Sequence, residues 1–464
     1  MVSSGSREES VRGTPAAAAL DFALLPGAAT PYRQIVEACF AERIGPHGLT
    51  RAEYEGSLAA TAPVLLRLRA AHADGSLPLL RLPETRADLA AIEHHAARMR
   101  QSFRDLVVLG TGGSSLGGQA LVALLDQDFG PRPDAPRLRF LDNIDPERFE
   151  TLFHAVDLRH TGFLAISKSG ATPETIAQLL VSFAAVRAAV GESAARRHFT
   201  MITAPGDSPM RRFAERFGIS VLDHDPEIGG RFSVLTLVGL LPACVAGADI
   251  AALREGAGSV SAVLLAGAEP AALAPAVGAA IAVALQSHHA MAGNVIMPYV
   301  DRLAAFGMWF RQLWAESLGK GGKGSTPARA LGTVDQHSQL QLYLDGPADK
   351  MFTLVLAAQE RKGRALPADL ASEPGLGYLA GATMGDLLAA EQRATYDTLV
   401  AAGRPVRLLA VERADERTLG ALLMHYMLEV IIAADLLGVD PFDQPAVEDG
   451  KRRARAYLAE SRAR

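Results

Sequence analysis

Asp105–Gln127 reads DLVVLGTGGSSLGGQALVALLDQ. Its opening run of Val and Leu is short enough for a buried strand, and LGGQALVALL carries apolar side chains at helical steps. Glycines 110, 112 and 113 lie between them. They permit positive φ and leave consecutive N–H groups free to face an anion at a helix start. The alternation continues downstream. RLRFLDN (137–143), GFLAIS (162–167), HFTMITA (198–204) and ISVLDHD (219–225) read as strands, with PERFETLFHAV (146–156), TPETIAQLLVSFAAVRAAV (172–190) and SPMRRFAERFG (208–218) as helices between them. Such a series implies an α/β fold, a parallel sheet flanked by helices on both faces.

A second series follows. NVIMPY (294–299), LQLYLD (340–345), MFTLVLAA (351–358) and PVRLLAV (405–411) read as strands, and DRLAAFGMWFRQLWAESLG (301–319), MGDLLAAEQRATYDTLVAAG (384–403) and ERTLGALLMHYMLEVIIAADLLG (416–438) as helices. Upstream, residues 31–40 and 52–70 place apolar residues at three- and four-residue steps and read as helical. The expected division is a helical segment over 1–75, a first α/β domain over 76–250, a second over 251–435 and a C-terminal arm over 436–464.

The totals fit this reading. The 464 residues carry 46 Lys+Arg against 51 Asp+Glu, a net charge of -5 with no basic stripe, which argues against a nucleic-acid partner. The two cysteines, Cys39 and Cys244, form no CxxC and suit a reducing, cytoplasmic setting. MVSSGSREES is not followed by the apolar core of a secretory signal. No Asp, Glu, Lys or Arg lies between Glu269 and Asp301, but Pro270, Pro275, Gly278, Gln286 and Asn294 interrupt the stretch. It reads as a buried Ala-rich helix leading into a strand, not a membrane span. The adjacent pairs His94-His95 and His288-His289 lack the spacing of metal ligands, so neither a metal nor a cofactor is expected.

The Gly/Ser loop can be tested against known patterns. A dinucleotide fingerprint fails because position 115 is Ser, and a Walker loop fails at Gly319–Thr326, where Ser325 replaces Lys. Gly113–Gly117 does satisfy GxSxG between a strand and a helix, which would make Ser115 a hydrolase nucleophile. A second loop, SKSGATPET (167–175), counts against that. It offers the hydroxyls of Ser167, Ser169 and Thr172, the charge of Lys168 and a turn at Gly170, with Pro173 in the first helical turn. Two such loops at the carboxyl ends of neighbouring strands would converge on one crevice and hold a phosphate monoester. With neither a nucleotide signature nor a carboxylate cluster for Mg²⁺, the phosphate reads as a handle.

GTGGSSLG, SKSGATPET, GGRFSVLTLVGL (229–240), QLWAESLGK (312–320), DQHSQLQLYLDGP (335–347) and FDQPAVEDGK (442–451), in this order, resemble the glucose-6-phosphate isomerase family in its shorter bacterial form. The resemblance runs from about residue 100 to 451 and implies two sugar-isomerase (SIS) domains and a homodimer. It implies that Glu316 carries a proton between C2 and C1 through a cis-enediol, although residue types alone would pair Glu316 with Lys320 at i+4. It further implies His337 and Lys451 as ring-opening groups and Arg231 as the enediolate's cation. Lys451 would otherwise read as the first residue of a solvated basic helix. Substrate contacts are implied for Gly113, Ser114, Ser167, Lys168, Ser169, Thr172, Gln312 and Gln444. Thr111, Asp335 and Ala446 depart from the family's common residues; none is a reacting group. A regulator with an SKSG-type loop would lack the Glu316, His337 and Lys451 set.

Overall fold

The structure, a computed structural model, describes residues 28–126 and 129–463; the expectation concerning a signal in the first ten residues lies outside them. Among the described residues ten strands form two five-stranded sheets. The first has the order β3-β2-β4-β5-β6 and is parallel throughout: β2 Asp105–Leu109, β3 Arg137–Leu141, β4 Thr161–Ile166, β5 Phe199–Thr203 and β6 Ser220–Asp223. Successive residues enter opposite interiors, as a period of two requires. Val107, Leu109, Phe163 and Ala165 pack in an outer core with the Pro173–Val190 helix, while Leu106, Val108, Leu164 and Ile166 join a central core.

The second sheet has the order β1-β10-β9-β7-β8, with β7 Gly293–Pro298, β8 Thr326–Arg329, β9 Lys350–Ala357 and β10 Val406–Val411 parallel and β1 Tyr32–Ile35 antiparallel at the edge. Ile296, Val355 and Leu409 face the same central core, which the helices Leu237–Ala246, Ile250–Leu265, Ala274–His289, Ala304–Leu318 and Glu416–Leu437 fill. Each sheet is therefore covered by helices on both faces, and one core unites them. Ala274–His289 is the buried helix expected upstream of NVIMPY. Pro173–Val190 and Glu416–Leu437 are long and apolar enough to cross a membrane by length and composition; the second is buried in the central core.

Three sequence expectations fail locally. Tyr32–Ile35 is not helical; it is β1, an antiparallel edge strand with Tyr32 opposite Val411. Long-range groups hold it: the Tyr32 hydroxyl lies 2.6 Å from His425 Nδ1, His425 Nε2 lies 2.8 Å from Glu429, and Glu429 pairs with Arg407 at 2.8 Å, all in the interior. LQLYLD is a helix, Leu340–Asp345, because Leu340, Tyr343 and Leu344 reach the core at helical spacing while Leu342 faces solvent. The missing neighbour of β7 is Thr326–Arg329, whose TPAR sequence has no strand pattern; its Pro327 is tolerated on a sheet edge.

Candidate active site

β2 and β4 are paired in register, Leu109 beside Ala165, and the chain leaves them toward opposite sides of the sheet. Their carboxyl ends thus form the switch-point crevice of an open α/β sheet, and both Gly/Ser loops open there. Of the first-loop glycines, Gly112 alone takes positive φ, +58°. Gly113 is needed for close approach: a Cβ there would lie 2.1 Å from the Gly230 carbonyl carbon. In the second loop Gly170 has φ +60°, Ser167 is buried with its hydroxyl 2.9 Å from Thr172 Oγ1, and Ser169 is exposed. The helices that start here, Gly113–Ala123 and Pro173–Val190, have no side-chain cap, and each brings the partial positive charge of a helix start to the crevice. Lys168 is partly buried, which lowers its pKa, and the Asp225 carboxylate opposes that shift.

Ser115 is fully buried, and its Oγ accepts from Gln119 Nε2 at 2.8 Å. A hydrolase nucleophile must stand exposed at its turn, so the GxSxG reading falls. Ser114 is the partly exposed serine of the pair.

Gly113 abuts the 3-10 helix Gly230–Leu235, and this contact brings Arg231 to the crevice. Its guanidinium is buried and all five N–H groups are engaged. Nε donates to Ser317 Oγ at 2.9 Å; Nη1 donates to Glu316 Oε2 at 3.2 Å and Gln444 Oε1 at 2.6 Å; Nη2 donates to the carbonyls of Pro441 and Asp443. Burial lowers the Arg231 pKa, and the charge of Glu316 counters it. Glu316 lies near the end of Ala304–Leu318 with its side chain 36% exposed, and its other oxygen accepts from Gln312 Nε2 at 3.1 Å. A Cβ on Gly112 would lie 2.9 Å from that same Gln312 nitrogen, so Gln312 bridges the first loop and the carboxylate. The i+4 pairing with Lys320 does not form. Lys320 Nζ turns to the Ser317 and Asp440 carbonyls and to Asp443. Ser317, Lys320 and the loop carbonyls are site groups that residue types alone did not reveal.

Two expected residues stand elsewhere. Lys451 is 47% exposed on the terminal helix Glu448–Ala463 and pairs with Glu448 at 2.7 Å. His337 is exposed, beyond the carboxyl end of β8. The Ala304–Leu318 helix runs back from the end of β7, about 22 Å for its 15 residues, and its Trp314 bonds Ser325 just before β8 starts. Glu316 and His337 therefore occupy opposite ends of the second sheet within one chain.

Two Gly/Ser loops at a parallel-sheet switch point, beside a carboxylate held by an amide and a guanidinium, define an α/β protein with a crevice suited to an anionic ligand. Residues 91–346 match the Phosphoglucose isomerase family. A glucose-6-phosphate isomerase of Rubrobacter xylanophilus is 39% identical over 80% of this chain and 87% of its own length. One from Thermus thermophilus is 38% identical over 76% and 84%. Among solved structures, a protein described as hypothetical from Thermus thermophilus superposes with a TM-score of 0.80 at 34% identity, covering 92% of this chain and 100% of that one. The glucose-6-phosphate isomerase of Chlamydia trachomatis shares the fold, with a TM-score of 0.68 at 23% identity over 82% of this chain and 78% of that one. The chain belongs to the phosphoglucose isomerase family.

Proposed function

We propose that this protein, like the relatives named glucose-6-phosphate isomerase, acts on glucose 6-phosphate, and that it interconverts this sugar with fructose 6-phosphate using Glu316 as the acid–base group. The observation that carries this reading is the Gln312–Glu316–Arg231 cluster set directly against the first anion loop. Gly113, Ser114, Ser167, Lys168, Ser169 and Thr172, with the two uncapped helix starts, hold the phosphate. Binding energy from that nonreacting group positions the sugar over the carboxylate. Glu316 removes the C2 proton of the opened aldose and returns it to C1, while the O2 hydroxyl proton passes to O1, so that the aldehyde becomes a primary alcohol and C2 a ketone. Arg231 stabilises the enediolate by transferring one Nη1 hydrogen bond from Glu316 or Gln444 to the substrate oxygen. Gln444 contacts the sugar, and Lys451 assists ring opening when the terminal helix closes on the crevice.

His337 opens the ring from a second copy of the chain. A homodimer is the arrangement that answers its position at the far end of the second sheet from Glu316. A cytoplasmic location accords with Cys39 and Cys244, both buried and unpaired. The test is a coupled assay from fructose 6-phosphate through NADP-dependent glucose-6-phosphate dehydrogenase. Glu316→Gln is expected to lower kcat by at least about 10²- to 10⁴-fold while inhibition by inorganic phosphate is retained. Ordinary turnover in that variant would remove Glu316 as the base, and deuterium wash-in at C2 reports the proton transfer directly.

A further inference from the structure

The segment from Asp440 to Gln444 lies between the Glu416–Leu437 helix and the terminal helix and has no regular structure. Its carbonyls are gathered by two cations instead. Arg231 takes those of Pro441 and Asp443, and Lys320 takes that of Asp440. Lys320 stands just past the carboxyl end of the Ala304–Leu318 helix, its side chain 15% exposed. Nζ donates to the Ser317 carbonyl at 3.0 Å and pairs with the Asp443 carboxylate at 3.1 Å. Three acceptors for the three hydrogens of an ammonium leave it saturated. A cation is also favoured beside the last carbonyls of a helix. Ser317, whose carbonyl Lys320 holds, receives Arg231 Nε on its hydroxyl, so the two cations share one residue next to Glu316. Phe442 adds an apolar contact, its ring 5.3 Å from that of Phe232.

We propose that Lys320 is a positioning residue for the isomerisation. It clasps the 440–444 segment to the end of the helix that carries Glu316, and thereby sets the places of Gln444 and the Arg231 guanidinium. This rests on Glu316 being the base. The clasp also anchors the chain at Gln444, four residues before the terminal helix begins at Glu448 and seven before Lys451. Lys320 touches no substrate, so phosphate binding at the two loops does not depend on it. A Met at 320 keeps the stem and removes the three donors.

Steady-state kinetics and amide hydrogen exchange on the full chain test this. Lys320→Met is expected to lower kcat by about 10- to 100-fold, with KM and inhibition by inorganic phosphate changed by less than about threefold, and to speed exchange selectively over 440–447. Lys320→Arg, which keeps charge and donors, is expected to recover most of kcat. Asp443→Asn, at a half-exposed position, is expected to speed exchange over the same segment by a smaller factor. Wild-type kcat in Lys320→Met would overturn the proposal. So would faster exchange spread evenly over the chain, or an equal loss in Lys320→Arg and Lys320→Met. If Lys320→Met fails to fold, unchanged exchange over 440–447 in Asp443→Asn overturns it. Should Glu316→Gln keep full turnover while 440–447 still loosens in Lys320→Met, the base assignment fails and the clasp stands.

Discussion

Lys168 holds its ammonium partly out of water in the second loop, and this lowers its pKa from the ordinary 10.5, with Asp225 offsetting part of the effect. A lysine with a lowered pKa loses its charge at a lower pH than an exposed one. The KM for fructose 6-phosphate is therefore expected to rise on the alkaline side below pH 10.5, while kcat changes less. Lys168→Arg should shift that limb to higher pH, because guanidinium keeps its proton; a limb that stays in place would detach it from Lys168. Lys168, Ser167 and Thr172 were legible in the sequence because a hydroxyl- and glycine-rich turn before a helix has a direct chemical meaning. Ser317 and the carbonyls of residues 440, 441 and 443 were not. A serine late in a helix and a backbone oxygen carry no pattern, and their role arises only when Arg231 and Lys320 arrive from distant segments.

At the scale of elements, two helices of the central core cross in backbone contact. A Cβ on Gly256 would lie 1.8 Å from the Arg417 carbonyl oxygen, and one on Gly420 would lie 1.9 Å from that of Leu253. Each glycine allows the Ile250–Leu265 and Glu416–Leu437 helices to approach more closely than any side chain permits. Gly420→Ala is expected to destabilise the fold by about 1–3 kcal/mol in urea denaturation, against the small gain alanine would bring to an isolated helix. A stabilised variant would mean that the helices can separate at no cost. Periodicity identified Glu416–Leu437 but not Ile250–Leu265, and it was silent on the crossing, because a glycine in a helix signals equally a weak point or a contact. LQLYLD, with Leu at alternate positions, reads locally as a strand, and tertiary contact chose the helical face instead.

At the scale of the molecule, Glu316 and His337 are separated by the length of a helix that runs back along the second sheet, so one chain does not complete the proposed site. Co-expressing Glu316→Gln with His337→Asn, each inactive alone, is expected to restore activity of about a quarter of the wild type, since a mixed dimer holds one intact site. No recovery in verified mixed dimers would place both groups in one chain's site. The sequence by itself determined the two alternating α/β series, the paired anion loops and the family motif around Glu316, because strand and helix periods and glycine-rich turns are local physics. Tertiary structure alone decided that Tyr32–Ile35 would be an edge strand, that TPAR would extend the second sheet, and that Arg231 would divide its five donors among Glu316, Ser317 and the 440–444 segment. Those outcomes depend on partners distant in the chain, from the 33 residues between Gly293 and Thr326 to the 379 between Tyr32 and Val411, whose hydrogen-bonding and burial energies override local preference once the chain is compact.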